Sequence, residues 1–408
     1  MKKLIVLSSY FILLLALPLR AQVPDSLPHL GDSAFASLIT CGPGDEFYTS
    51  FGHSALRICD STLGIDIIYN YGTFDFDTPH FYWKFARGYL NYHLSRSSFF
   101  NFLFEYQYEG RAVWQQRLRL SNQEVNNLFL LLEFNYQPDY RYYQYDFLRD
   151  NCATRPRDMI IHALDHRTLS PETTTDTNLT YRNHLYHSTA NTLLWWRLAV
   201  DMALGLPCDH RCSNYEYMFS PIAMMHQFDT LTVSDTRQPL AEPAELILPE
   251  TRVPPSRSIS PTITFWVLFF AVLLLALLGW KNGWRLRWLD ITLFIIPFLG
   301  SLLVIFLWFL SSHYCTKANF NILWASPLFL YFAIRLRRSR PWLVVVQLVM
   351  LLAACVMTLA PLPQQLNAAL LPISLTLALR LIALKKTSIT STTSNTSKTS
   401  KTSNPSKK

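Results

Sequence analysis

The last third of the chain alternates long apolar runs with short polar connections. Apolar runs cover about 264–280, 288–310, 319–334, 342–360 and 367–384. Each approaches the roughly 20 residues a helix needs to cross hydrocarbon. The 319–334 run is the shortest of the five. A further apolar run, from Leu4 to Pro18, follows Lys2 and Lys3 and ends near Ala21. It is short for a span, has a positive start and offers a small residue for cleavage. It therefore reads as a signal peptide over 1–21, with a mature chain from Gln22.

The region between these apolar blocks has the periodicities of a folded domain. Residues 31–120 read as mostly β, with strand patterns over Gly52–Ile58 and Ile65–Tyr71 after a turn cluster at Gly42-Pro43-Gly44-Asp45. A helix is predicted over 122–134. Ser121 and Glu124 form a capping box, and Val125, Leu128, Phe129 and Leu132 share a face. A second helix is predicted from near Cys152 to Leu164, and a third over 189–204. These elements form one domain over 22–235. Prolines crowd 236–262 and predict a semi-extended linker. The helical bundle then occupies 263–385. Residues 386–408 hold almost only Ser, Thr, Lys and Asn and predict a disordered tail.

Charge fixes the orientation. Lys281, Arg285 and Arg287 separate the first two runs, Arg335, Arg337, Arg338 and Arg340 the third and fourth, and Lys385 and Lys386 follow the fifth. The other two connections hold Lys317 and no charge at all. Lys and Arg stay on the cytoplasmic side. About five spans then leave the C-terminus inside and 22–262 outside, in agreement with the signal peptide. The total charge is +8. The stretch from 264 onward carries +14 and the first 21 residues +3, so 22–263 carries −9. The basic balance reports membrane orientation, and an acidic outer domain repels nucleic acid. Arg380, near the inner end of the last run, is expected to snorkel to the headgroups.

The outer domain has five cysteines: Cys41, Cys59, Cys152, Cys208 and Cys212. An oxidising compartment favours pairing, and Cys208 with Cys212 is the expected local disulfide. An odd number leaves one thiol over. Asp150-Asn151-Cys152-Ala153-Thr154-Arg155-Pro156-Arg157 is the strongest chemical signal. Asp150 or Asn151 caps a helix, and Pro156 fits only near its start. Cys152 is expected in the first turn, where the helix dipole, Arg155 and Arg157 favour a thiolate nucleophile. A small buried cysteine is an equal reading of these residues alone. His53 is the candidate base, although a structural histidine is the commoner case. No histidine set has metal-ligand spacing that outweighs the disulfide, and no cofactor is implied.

Phe51-Gly52-His53-Ser54-Ala55-Leu56-Arg57, Tyr69-Asn70-Tyr71-Gly72-Thr73-Phe74-Asp75-Phe76, Tyr145-Asp146-Phe147-Leu148 and Asp150-Asn151-Cys152-Ala153-Thr154 occur in that order. Over most of 33–225 the chain resembles the Lnb N-terminal periplasmic domain family. The resemblance implies an α+β papain-like domain, circularly permuted as in NlpC/P60 enzymes, with His53 preceding Cys152, beside an all-α transmembrane bundle. It implies a Cys152–His53 pair doing acyl transfer, as in lipoprotein N-acyltransferases of the Lnb type. The partners would be a phospholipid acyl donor, a lipoprotein acceptor and the membrane, here the inner, cytoplasmic membrane. A strand-borne polar group should orient the imidazole. Asn70 is the first choice and Asp75 the second. Arg57, Arg111 and Asn151 are candidate substrate-binding residues. The alternatives are a cell-wall peptidase or amidase with the same pair, and a non-enzymatic membrane scaffold.

Overall fold

The computed structural model describes residues 27–399 apart from 47–48, 165, 171–178, 189–193, 234–237, 254–258 and 361. The signal-peptide expectation for 1–21 lies outside the described residues.

Seven antiparallel strands build the outer domain, in the order β6-β4-β3-β2-β1-β5-β9. They are β1 (Phe35–Cys41), β2 (His53–Asp60), β3 (Ile65–Thr73), β4 (Asn91–Ser98), β5 (Val113–Arg117), β6 (Tyr142–Gln144) and β9 (Glu245–Leu248). A separate pair joins β7 (Leu169–Ser170) to β8 (Thr232–Val233). The central strands are buried along nearly their whole length because both sheet faces are covered. On one face, Leu38, Leu56, Ile58 and Tyr69 pack with Val125, Leu128, Phe129 and Leu132 of helix α3 (Asn122–Tyr136) and Ile160 of α4 (Thr154–Ala163). On the other, Ile39, Ala55 and Ile68 pack with Phe99, Phe102 and Tyr106 of α2 (Phe99–Tyr108). Helix α1 (Phe81–Arg87) connects β3 to β4, and α7 (Pro221–Phe228) packs on β1.

The helix expected over 122–134 forms with its capping box intact: Ser121 Oγ accepts from the Glu124 N–H, and the Glu124 carboxylate accepts from the Ser121 N–H. The proline-rich stretch departs from the expected linker. Residues 245–248 add to the sheet as β9, and Leu240 and Ala241 are buried in the core. Pro243 and Pro249 flank this strand, where a missing N–H costs no ladder bond.

Among the described residues, three helices are long and apolar enough to cross a membrane: α8 (Pro261–Asn282), α9 (Arg287–Ile305, running on to Leu310) and α11 (Pro341–Leu359). The 319–334 run does not form a span. It breaks into a short turn, Phe320–Leu323, and the eight-residue α10 (Leu328–Arg335). Pro327 interrupts the run, and Asn319 and Asn321 turn their amides onto the outer domain. The fifth run forms only the shorter apolar start of α12 (Leu370–Thr399), over Leu370–Leu384. That helix continues past 386, where a disordered tail was expected. No glycine or proline lies between 386 and its end at Thr399. Arg380 does not snorkel: its Nε donates to buried Asp290 of α9 at 2.7 Å. An unpaired charge at that depth is expensive, so pairing wins over reaching outward.

The two parts are joined by a buried polar network. Arg182, in α5 (Tyr181–Ser188), is 0% exposed. It donates to Asp201 at 2.8 Å, to both carboxylate oxygens of Asp209 at 3.0 Å, and to the Leu204 and Gly205 carbonyls. Asp201, near the end of α6 (Leu194–Ala203), also accepts from Tyr186 and from Asn367 in the loop between α11 and α12. Gln364 donates to the Leu204 carbonyl, and Asp209 accepts from the Gln365 N–H. Asn319 donates to the Met202 and Ala203 carbonyls, and Asn321 to that of Asp201. Gly205 sits so close that a Cβ there would lie 1.9 Å from the Lys317 carbonyl oxygen. Replacing Arg182 by Ala leaves two buried carboxylates without their cation. It should cost ~3–5 kcal/mol, read by thermal unfolding of the full chain in detergent. Arg149→Ala, which removes a half-exposed ion pair, should cost less than ~1 kcal/mol.

Candidate functional site

Cys152, His53 and Asn70 line one cavity of about 570 Å³. His53 opens β2, opposite Cys41 of β1, and Asn70 lies on the neighbouring β3. The His53 Nε2–H donates to Asn70 Oδ1 at 2.8 Å. The tautomer follows from the partner being an acceptor. Nδ1 is left to exchange a proton. Asn70 is thus the strand-borne polar group that the imidazole meets. Asp75 accepts from the Asp77 N–H and is not among the cavity's lining residues.

Cys152 lies two residues before α4, in the turn that leads into it, not in its first turn as expected. Asn151 builds that turn. Its Oδ1 accepts from the Ala153 and Thr154 N–H groups at 2.8 and 2.9 Å, and its amide donates to the Phe147 and Phe219 carbonyls. With that capacity used, the Asn151 side chain shapes the loop that carries Cys152 and has no amide hydrogen left for a ligand. Gly72 lets β3 approach: its φ is +92°, and a Cβ there would meet Cys152 Cβ at 3.2 Å.

Electrostatics differ from the expected low thiol pKa. Burial pushes Cys152 up, and it remains above its ordinary value although the Ser54 backbone N–H, the Tyr145 hydroxyl, its own N–H and the Arg111 guanidinium favour the thiolate. The arginines beside it in sequence face elsewhere. Arg155 pairs with Asp150 at 2.5 and 2.9 Å and lies 3.5 Å from the Tyr143 ring. Arg157 pairs with Asp158 and donates to the Tyr215 carbonyl. Burial also lowers His53 to about 4, against the hydrogen bond to Asn70, which favours the imidazolium. Both shifts oppose charge separation, so the resting pair is neutral thiol and neutral imidazole.

The other expected residues fall out unevenly. Arg57 lies outside the cavity lining. It is held by Asp66 at 2.7 and 2.8 Å, by Gln115, and over the Phe99 ring at 3.7 Å, so it is a structural ion pair. Arg111 does line the cavity. It is 4% exposed, donates to the Gly42 carbonyl and Glu109, and leaves Nη2 without a hydrogen-bond partner. Cys208 and Cys212 are free thiols rather than a disulfide. A short 3-10 turn over Leu206–Asp209 carries Cys208 into the interior, where its Sγ lies 3.5 Å from the Cys315 carbonyl oxygen.

Sequence reasoning missed two groups. Tyr145, whose hydroxyl bonds the Cys152 sulfur and whose ring stacks on Tyr92 at 4.5 Å, had no local signal as a site residue. The cavity's far wall also escaped it. Leu307, His313, Cys315 and Thr316, at the outer end of α9 and in the loop after it, line the same space as Cys152, together with Trp196, Val200 and Ala203 of α6. Gly72 carried the one legible hint, a glycine inside a strand pattern.

Residues 31–185 match the family model described as the Lnb N-terminal periplasmic domain, and residues 254–391 match that described as the Lnb transmembrane domain. No curated protein and no solved structure matches the chain.

Alkylation of Cys152 by iodoacetamide should be slow at pH 7 and rise with pH beyond the ordinary thiol range, followed by peptide mass spectrometry. Rapid alkylation at pH 6 would mean a thiolate–imidazolium pair at rest and would contradict the neutral assignment. Gly72→Ala should lower stability by about 1–2 kcal/mol and change this profile, because the added methyl meets both a positive φ and the nucleophile's Cβ.

Proposed function

The chain belongs to the Lnb family, and we propose that it is a cysteine-dependent acyltransferase of the cytoplasmic membrane, with its active domain on the periplasmic side. It moves an acyl chain from a phospholipid to the N-terminal amine of a diacylglyceryl-cysteine lipoprotein through a thioester on Cys152. The observation that carries this reading is the shared cavity. Cys152 and His53 meet a largely apolar space whose lining also includes the end of a membrane helix. An acyl chain fits such walls by burying hydrocarbon. A peptidoglycan-cleaving enzyme would call for a polar groove away from lipid.

In this reading the outer domain is a circularly permuted papain-like core, with the histidine strand before the cysteine helix. The membrane part carries the basic connections inside. As the sulfur attacks the ester carbonyl, the neutral His53 imidazole takes the thiol proton at Nδ1, and Asn70 holds Nε2–H in place. The Cys152 N–H supports the developing oxyanion. The tetrahedral intermediate collapses, the C–O bond breaks, and His53 returns the proton to the leaving alkoxide. A lysophospholipid departs. The acceptor's neutral amine then attacks the thioester and loses a proton to His53. The C–S bond breaks, and the proton returns to the sulfur. No cofactor enters either half. A base that titrates at about 4 stays competent across neutral pH.

Incubation of the purified full chain with labelled phospholipid and no acceptor should trap a hydroxylamine-sensitive acyl group on Cys152, located by mass spectrometry. Cys152→Ala should remove it, and His53→Ala should slow its formation ~100-fold or more. Asn70→Ala should slow it by about 10-fold or more, because the imidazole loses its orientation. Cleavage of muropeptides with no acyl-enzyme would support a cell-wall amidase instead. Full function of Cys152→Ser in cells would support a scaffold. The acid limb of the activity should fall near pH 4, not near the 6.5 of a free imidazole.

A further inference from the structure

Helix α2 has two apolar faces. At 100° per residue, Phe99, Phe102 and Tyr106 fall on one side and are buried against the sheet. Phe100, Phe104 and Tyr108 fall on the other and are 77%, 64% and 87% exposed. Helix α1 adds Tyr82 and Trp83, at 81% and 57%. A grouped aromatic surface of this kind marks an interaction site.

Its neighbours point to what covers it. The Trp83 ring lies 5.5 Å from Phe306, at the outer end of α9. The Ser312 N–H, just past that end, donates to the Arg87 carbonyl at 2.8 Å, and the His313 ring bonds the Phe85 carbonyl at 2.8 Å. Helix α1 is therefore fixed at the depth where a spanning helix leaves the hydrocarbon. Trp195 of α6 sets the same level on α8, with its ring 5.9 Å from Phe265 and its indole N–H on the Ile259 carbonyl. Helix α2 is tied in too. The Gly110 carbonyl, just past its end, accepts from the Thr251 and Arg252 N–H groups, upstream of α8, and Tyr106 shares the cavity wall with Leu307. At the opposite ends of the spans, exposed Trp280, Trp284 and Trp288 form the inner counterpart. Tryptophan and tyrosine gather at both bilayer interfaces because one end of each ring is apolar and the other polar.

We propose that the exposed α1–α2 aromatic surface docks on the outer lipid leaflet, with Phe100, Phe104 and Tyr108 in the interfacial layer, so that the acyl donor enters the cavity sideways from the membrane. The docking stands on geometry alone; the entry route rests on the proposed acyl transfer.

The full chain with p-benzoylphenylalanine at position 104, in vesicles of phosphatidylethanolamine and phosphatidylglycerol, should give lipid adducts on irradiation. The same probe at Gln123, exposed at the start of α3, should give none. Absence of lipid adducts at 104, or adducts to a second copy of the chain, would overturn the docking. The Phe100→Ser/Phe104→Ser/Tyr108→Ser variant should lose about tenfold in acyl transfer from vesicle lipid, yet acylation of Cys152 by a water-soluble short-chain thioester should change less than ~2-fold. Equal losses with both donors, or none with either, would overturn the entry route. A wild-type chain inactive with both donors would refute the acyl-transfer reading and the entry route with it, whereas the photochemical result still decides the docking.

Discussion

The cavity exists because Arg182 is buried between Asp201 and Asp209. One wall belongs to the sheet domain and the other to the loops of the helical bundle, so the space between them is only as well defined as their junction. A single guanidinium gathers two carboxylates and two carbonyls on the outer domain's side. The carboxylates in turn take Asn367 and the Gln365 N–H from the bundle. Breaking a buried ion pair by removing one partner is strongly unfavourable, because the other charge is left uncompensated. The junction therefore has one satisfactory arrangement, and sliding the halves would strand charges away from water.

That junction also sets the chemistry. Enclosing Cys152 and His53 removes the water that would otherwise stabilise their charged forms. The thiol rises, the imidazole falls, and the pair rests neutral. A neutral pair resists idle oxidation and alkylation in an exposed compartment. In the proposed reaction, charge develops only as an ester carbonyl arrives to share it, beside the Ser54 and Cys152 N–H groups. The apolar lining that raises the cost of ionisation is the same lining that the proposed acyl chain would occupy.

Much of this was legible beforehand. The capping box at Ser121 and Glu124 and the face made by Val125, Leu128, Phe129 and Leu132 predicted α3 nearly to its ends. Strand periodicity found β2 and β3, and with them His53 and Asn70. These are local patterns, decided within a few residues. The errors share a different cause. The 319–334 run is apolar enough to span, but Asn319 and Asn321 hydrogen-bond to residues more than a hundred positions away. Arg57 is chemically suited to phosphate, yet Asp66 on the adjacent strand holds it. Arg155 and Arg157 adjoin Cys152 in sequence and turn from it in space. Cys208 and Cys212 are close along the chain, but the intervening turn buries one of them against Cys315.

The sequence by itself determined the partition into a sheet domain and an apolar helical part, the direction of the charges, and the choice of Cys152 and His53 as candidates, because hydrophobic period and residue type act locally. Only the tertiary structure decided which polar groups reach one another. It placed Tyr145 on the sulfur, Asp290 on Arg380 and the end of α9 in the same cavity as Cys152. A side chain's partner depends on how distant segments pack, and burial rewards the arrangement that leaves fewest polar groups unmet, a sum over the whole fold that no short stretch of residues contains.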